Sequence, residues 1–188
     1  MGKSVRSLTI AVAVAIAAAA AVSVSAPPAL AASGAELSRD AAAALKKLYA
    51  KQPSARVLGD KAVAILVFPS ILKAGFLFGG QIGEGALFKR GKTAGYYSSV
   101  GASYGLQAGV QTYGYALFFM NQQALDYLNS SQGFEIGAGP SVVVMDKGMG
   151  KSATSTTMFE DVYAFIFDQK GLMAGMGIQG NKLTRISK

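Results

Sequence analysis

The chain has 188 residues, 51% of them hydrophobic and 15% charged, with 18 Lys/Arg against 10 Asp/Glu and neither His nor Cys. That composition excludes Ser-His and Cys-His catalysis, the usual transition-metal ligands, disulfides and a lipid-modified N-terminal cysteine. The length accommodates one ordinary domain behind a short leader.

The leader comes first. Lys3 and Arg6 precede an apolar stretch from Leu8 to Val22, Pro27 and Pro28 interrupt it, and Ala29-Leu30-Ala31 offers small residues to a signal peptidase. An apolar core of about 15 residues, mostly Ala and Val, falls short of the ~20 needed to span a bilayer. Residues 1–31 are therefore expected to be a cleaved signal peptide, and Lys3 and Arg6, not being adjacent, favour the general secretion route. The remaining 32–188 carry a net charge of +6. Ten basic residues against four acidic ones lie in 32–92, and six of each in 93–188. The excess predicts a basic face toward an anionic partner.

Ser33-Gly34-Ala35-Glu36 has the spacing of a capping box. A helix should follow, with Leu37, Ala41, Ala44, Leu45 and Leu48 on one stripe, Lys46, Lys47 and Lys51 in its last turns, and an end at Gln52-Pro53. The apolar run Ala62–Phe68, closed by Pro69, predicts a strand covered on both faces. A second extended region covers Phe76 to Phe88, and Lys89-Arg90-Gly91-Lys92 predicts a hairpin tip because Gly91 tolerates positive φ. From Tyr96 to Met120 one parity reads Val100, Ala102, Tyr104, Leu106, Ala108, Val110 and the other Ser99, Gly101, Ser103, Gly105, Gln107, Gly109, Gln111. That length predicts two strands, turning or bending near Gly105 to Gly109. Asn121 should cap a short helix ended by Asn129-Ser130. Strands are expected at Phe134–Ile136, Ser141–Met145, Thr157–Phe167, Leu172–Ile178 and Lys182–Ile186, with a long loop at Asp146–Ser155 and a turn at Asp168–Gly171. Strands and helices do not alternate as βαβ units, which predicts an α+β fold: an antiparallel, strongly curved or barrel-like sheet with an N-terminal helix and a short second helix packed on it. The Gly content inside strand patterns predicts curvature or close backbone approach.

No motif for chemistry holds. Gly91-Lys92-Thr93 and Gly150-Lys151-Ser152 resemble the end of a phosphate loop, but Ala86 and Met145 stand where its first Gly belongs. Gly175 to Gly180 has dinucleotide-loop spacing with too little chain after it for a crossover helix and strand. Glu160-Asp161 would point to opposite faces of a strand. Neither catalytic nor metal-binding residues are assigned, no cofactor is expected, and nucleic acid is disfavoured because the Tyr residues cluster with Gly and Ser and not with Lys and Arg.

The segment Val67-Phe68-Pro69-Ser70-Ile71-Leu72-Lys73-Ala74-Gly75-Phe76, with Gly79-Gly80 and Gly83-Glu84-Gly85-Ala86-Leu87, resembles the signature of the SYLF domain family. Gly95-Tyr96-Tyr97, Ala102 to Gly109, Phe119-Met120, Ala124-Leu125 and Gln169 to Ala174 agree in order, so the likeness extends over about residues 36–187, nearly all of the proposed domain 32–188. The resemblance implies a non-enzymatic domain that binds phosphoinositides or other anionic lipids, with actin binding in yeast members and stand-alone exported members in bacteria. It places lipid contact on the basic N-terminal helix. The expected lipid-binding residues are Lys46, Lys47, Lys51, Lys73, Lys89, Arg90 and Lys92, on a periplasmic or secreted protein that touches the membrane peripherally. The alternative expectation is a structural or assembly protein of the envelope, binding a protein or cell-wall partner.

Overall fold

The computed structural model describes residues 32–130, 134–135, 139–145, 160–171 and 181–188, the side chains at 76–78, 103–108 and 135 excepted, all of them in the one compact unit Ala32–Lys188. The expected leader, the loop at 146–155 and the strand at 172–178 lie outside the described residues.

Helix α1, Gly34–Lys51, begins on the predicted capping box: the Ser33 hydroxyl accepts from the Glu36 N–H at 3.2 Å and the Glu36 carboxylate accepts from the Ser33 N–H at 2.9 Å. These bonds hold the Glu36 carboxyl below its ordinary pKa, the backbone bond with Ser33 first among the causes. Leu37, Ala41, Ala44 and Leu48 form its buried stripe. The helix ends at Lys51 with Gln52 as its C-cap, as expected, but Pro53 has a second role. It opens a second helix, α2, Pro53–Lys61, because a residue in the first helical turn needs no N–H partner. Helix α3, Gln122–Leu128, starts where Asn121 accepts from the Ala124 N–H at 2.8 Å.

Strands β1, Ala64–Lys89, and β2, Lys92–Phe119, make one long antiparallel hairpin. Its turn has positive φ at both Arg90 (49°) and Gly91 (74°), the two-residue geometry that matches strand twist. Strand β5, Val162–Gly171, pairs with the far end of β2 and β6, Asn181–Ile186, with the near end, so two strands share the second edge of β2. Strands β3, Phe134–Glu135, and β4, Val142–Met145, extend the sheet beyond β6 and β5 respectively.

The α+β class holds, and several details change. Among the described residues the six strands do not close into a barrel: β3 and β4 remain at the two ends of the path β3-β6-β2-β5-β4, with β1 beside β2. The sheet is not wholly antiparallel either, since β4 runs parallel to β5. Pro69 does not end the first strand, because a register shift between Phe68 and Ile71 carries it past a residue that has no N–H to give. The stretch 96–119 is one strand, with its irregularity at the predicted place: Gly75 pairs with Gly109 and Leu77 with Gly105. Asp168–Gly171 is not a hairpin turn. Asp168 has φ 49°, the register shifts there, and β5 continues to pair through Lys170 and Gly171.

Curvature replaces closure. An added Cβ on Gly85 would lie 2.7 Å from both the Val67 carbonyl oxygen and the Phe68 ring, and one on Gly83 would lie 2.7 Å from the Ser70 carbonyl oxygen. The end of β1 thus packs against its own beginning, a backbone approach open to glycine alone. Two cores result. The inner one joins Leu66, Phe68, Ile71, Leu87, Tyr97, Tyr115, Leu117, Phe119 and Leu183 with Leu125 and Leu128 of α3, and Phe68 stacks on Tyr115 at 5.7 Å. The outer one sets Ala41, Ala44 and Leu48 of α1 and Leu58 of α2 against Ile65, Val67, Ala86, Phe118 and Phe165.

Candidate functional site

The hairpin turn, α1 and α2 converge. Because the outer core pulls α1 and α2 onto both ends of β1, the tip residues Arg90 and Gly91 stand beside the two helices. A groove of about 760 Å³ opens between them, lined on α1 by Leu45, Lys46 and Tyr49, on α2 by Arg56 and Asp60, and on the sheet side by Ile65, Phe88 and Arg90. Its wall is apolar through Leu45, Ile65 and Phe88. Lys46, Arg56 and Arg90 bring three cations from three separate elements, and the groove's one carboxylate is Asp60.

Local contacts fix these groups. The Arg56 guanidinium carbon lies 5.4 Å from the centre of the Tyr49 ring, within cation–π range. Arg56 also approaches Asp60 at 3.8 Å, one helical turn on, an exposed pair whose attraction water and salt weaken. Burial, and secondarily the charge of Asp60, hold the Tyr49 phenol above its ordinary pKa, so it stays neutral near neutrality. Polar contacts pin α1 at both ends. Near its start the Ser38 hydroxyl meets Tyr96 at 3.0 Å and accepts from Thr93 at 3.1 Å, and at its end Lys51 pairs with Asp168 of β5.

The seven expected residues separate into distinct places. Lys46 and Arg90 line the groove, and Lys89 and Lys92 flank Arg90 as exposed partners at the tip. Lys47 is exposed on α1. Lys51 serves the fold: its hydrogen bond is the main cause of the lowered Asp168 pKa, with smaller contributions from the charges of Lys51, Lys47 and Lys170. Lys73 is buried in the sheet, opposite Gln111. Arg56 and Tyr49 escape the sequence reading because the helix that carries Arg56 was unassigned. Its signal is Pro53 at the first helical position, followed by one turn to Arg56 and another to Asp60.

The groove contains no nucleophile–base pair, and among the described residues no cluster of three or more acidic, His or Cys side chains could hold a metal ion. Among the same residues no helix is long and apolar enough to cross a membrane. Its chemistry is that of a cleft with cations at its mouth and an apolar wall.

Residues 100–187, just under half of the chain, match the family model described as Ysc84: Las17-binding protein actin regulator. No curated protein matches the chain. The matched span begins within β2 and runs through β6, so none of the seven expected lipid-contact residues lies inside it.

Proposed function

From the premise that the chain belongs, through residues 100–187, to the SYLF (Ysc84) family, we propose that it is a non-catalytic lipid-binding protein of the cell envelope. The observation that carries this reading is the groove, in which Lys46, Arg56 and Arg90 meet over Leu45, Ile65 and Phe88. An anionic phospholipid has the matching halves: its phosphate suits the three cations, and its glycerol and first acyl carbons suit the apolar wall. Lys89 and Lys92 extend the positive potential to the bilayer surface, where each cation contributes on the order of 1 kcal/mol. In this reading the exported domain 32–188 acts at the membrane surface of the envelope.

Vesicle flotation tests it. Residues 32–188 should float with vesicles of phosphatidylglycerol or cardiolipin, ignore neutral phosphatidylcholine, and bind more weakly as salt shortens the Debye length. Reversing Lys46, Arg56 and Arg90 to Glu should sharply reduce flotation while thermal unfolding stays cooperative. No flotation at low salt, or flotation undiminished by the triple reversal, would reject the lipid and leave an envelope protein or cell-wall polymer as the partner of the basic face.

A further inference from the structure

The middle of the long hairpin inverts the usual pattern of a sheet in water. On its inner face Lys73, Gln81, Ser99 and Gln111 are all buried, together with Asn181 of β6. Tyr113 donates to the Gln81 side-chain oxygen at 2.6 Å, and the Gln81 amide donates to Asn181. On its outer face, the one that α1 and α2 cover nearer the hairpin ends, Leu72 is 44% exposed, Ile82 57%, Val100 51% and Val110 58%. Ile82 and Val100 are direct cross-strand partners, and Val110 stands opposite Ala74. A sheet with one solvated face places apolar residues inward and polar ones outward. A sheet facing hydrocarbon does the reverse.

The edges of this face carry a charge signature. Lys182 of β6 is the register partner of Val100, and Lys170 of β5 is the partner of Thr112, which in turn stands opposite Leu72. Both lysines are exposed. Lysines bordering an apolar surface lay their stems along it and put the ammonium at phosphate level. Glu84 on this face is paired with Lys188 at 2.7 Å, and Glu135 of β3 is the register partner of Lys182. An anionic bilayer supplies both the hydrocarbon for this face and the charge that suits the exposed Lys170 and Lys182.

We propose that the outer face of the mid-hairpin, marked by Leu72, Ile82, Val100 and Val110, is a second membrane contact, seated in the acyl boundary of an anionic bilayer with Lys170 and Lys182 at the phosphates. The proposal rests on the lipid reading above and adds a hydrophobic, salt-resistant component to a groove that binds by charge.

The chain contains no tryptophan, so a single introduced indole reports its own depth. In residues 32–188, the unit that carries both cores, I82W and V110W should each shift emission to shorter wavelength on vesicles of phosphatidylglycerol and be quenched by lipids brominated along the acyl chain, whereas N129W, remote from this face, should do neither. The triple variant I82D/V100D/V110D should still bind at low salt through the groove, but bind at least about tenfold more weakly at high salt, since three exposed apolar side chains lose their burial. Unshifted, unquenched emission from I82W and V110W on vesicles that do bind the protein would overturn this proposal and leave the groove reading intact. So would a dimer in sedimentation that the Asp triple variant dissociates without changing salt-resistant binding. Failure of the unsubstituted protein to bind anionic vesicles would overturn both.

Discussion

The long hairpin has two regions built by opposite rules. Near its open end, Ile65, Val67 and Phe118 lie on the helix-covered face while Leu66, Phe68, Leu117 and Phe119 face the inner core, so both faces are apolar and both are covered. In its middle the buried face holds Lys73, Gln81 and Gln111 and the exposed face holds Ile82, Val100 and Val110. Both regions carry apolar residues on the outer face; what differs is what covers them and what the inner face holds. The difference assigns stability to one region and contact to the other.

The largest effect should come from the covered region. Phe118→Ala removes a fully buried ring that meets Phe165 edge-on at 5.1 Å and should cost about 3–5 kcal/mol by chemical denaturation. Ile82→Ser in the middle should change stability by less than about 0.5 kcal/mol. Equal losses would break the division.

The next contrast uses two glycines of the same strand. Gly85→Ala drives a Cβ to 2.7 Å from a backbone carbonyl and should cost about 1–3 kcal/mol. Gly80→Ala meets nothing closer than 3.8 Å and should be neutral or stabilising by about 0.5 kcal/mol. A Gly85→Ala protein as stable as the parent would mean that the strand does not fold over on itself.

A smaller loss is expected at the anchor of α1. Ser33→Ala removes one half of the capping box and should lower stability by about 1 kcal/mol, read as a shift in the denaturation midpoint at constant slope.

The smallest effect concerns acid. The Asp168 pKa is lowered chiefly by the Lys51 hydrogen bond. A carboxyl whose folded pKa lies below its unfolded value, about 3.9, stabilises the fold above that value and loses this contribution as pH falls through the folded pKa. Asp168→Asn should therefore be less stable than the parent at pH 7, with the gap narrowing below about pH 4. The Lys51 side chain is 63% exposed and that of Asp168 28%, so water and salt screen the pair and keep the difference small. A gap independent of pH would mean that the charge of the carboxylate is not what Asp168 contributes.

Local chemistry made much of this legible. Ser33 with Glu36, Asn121 and Arg90-Gly91 each satisfy or relax the backbone within a few residues, and each stands where its pattern predicted. Pro53 marks the end of α1 as expected but also opens α2, and Pro69 lies inside β1, for one reason: proline marks a missing donor, and a first helical turn or a bulge dispenses with that donor as well as a chain break does. The two parities of 99–111 were visible too, but alternation does not say which face is buried. Coverage by α1 and α2 stops short of Val100 and Val110, and no local signal records where a helix will stop. At the groove, Lys46 and Arg90 were found by charge, whereas Arg56 joins them only through tertiary folding.

The shared edge of β2 sets an order of assembly. The β1–β2 hairpin closes over a two-residue turn, so its ladder grows from neighbours in sequence. The strand segment 96–101, by contrast, waits for Asn181–Ile186, whose Leu183 completes the inner core beside Tyr97. Contacts between residues so far apart along the chain are slow to form. Until β6 arrives, that stretch of β2 has an unpaired ladder edge and an unfilled core position, the state in which this protein is most exposed to strand-to-strand aggregation and to capture by a chaperone.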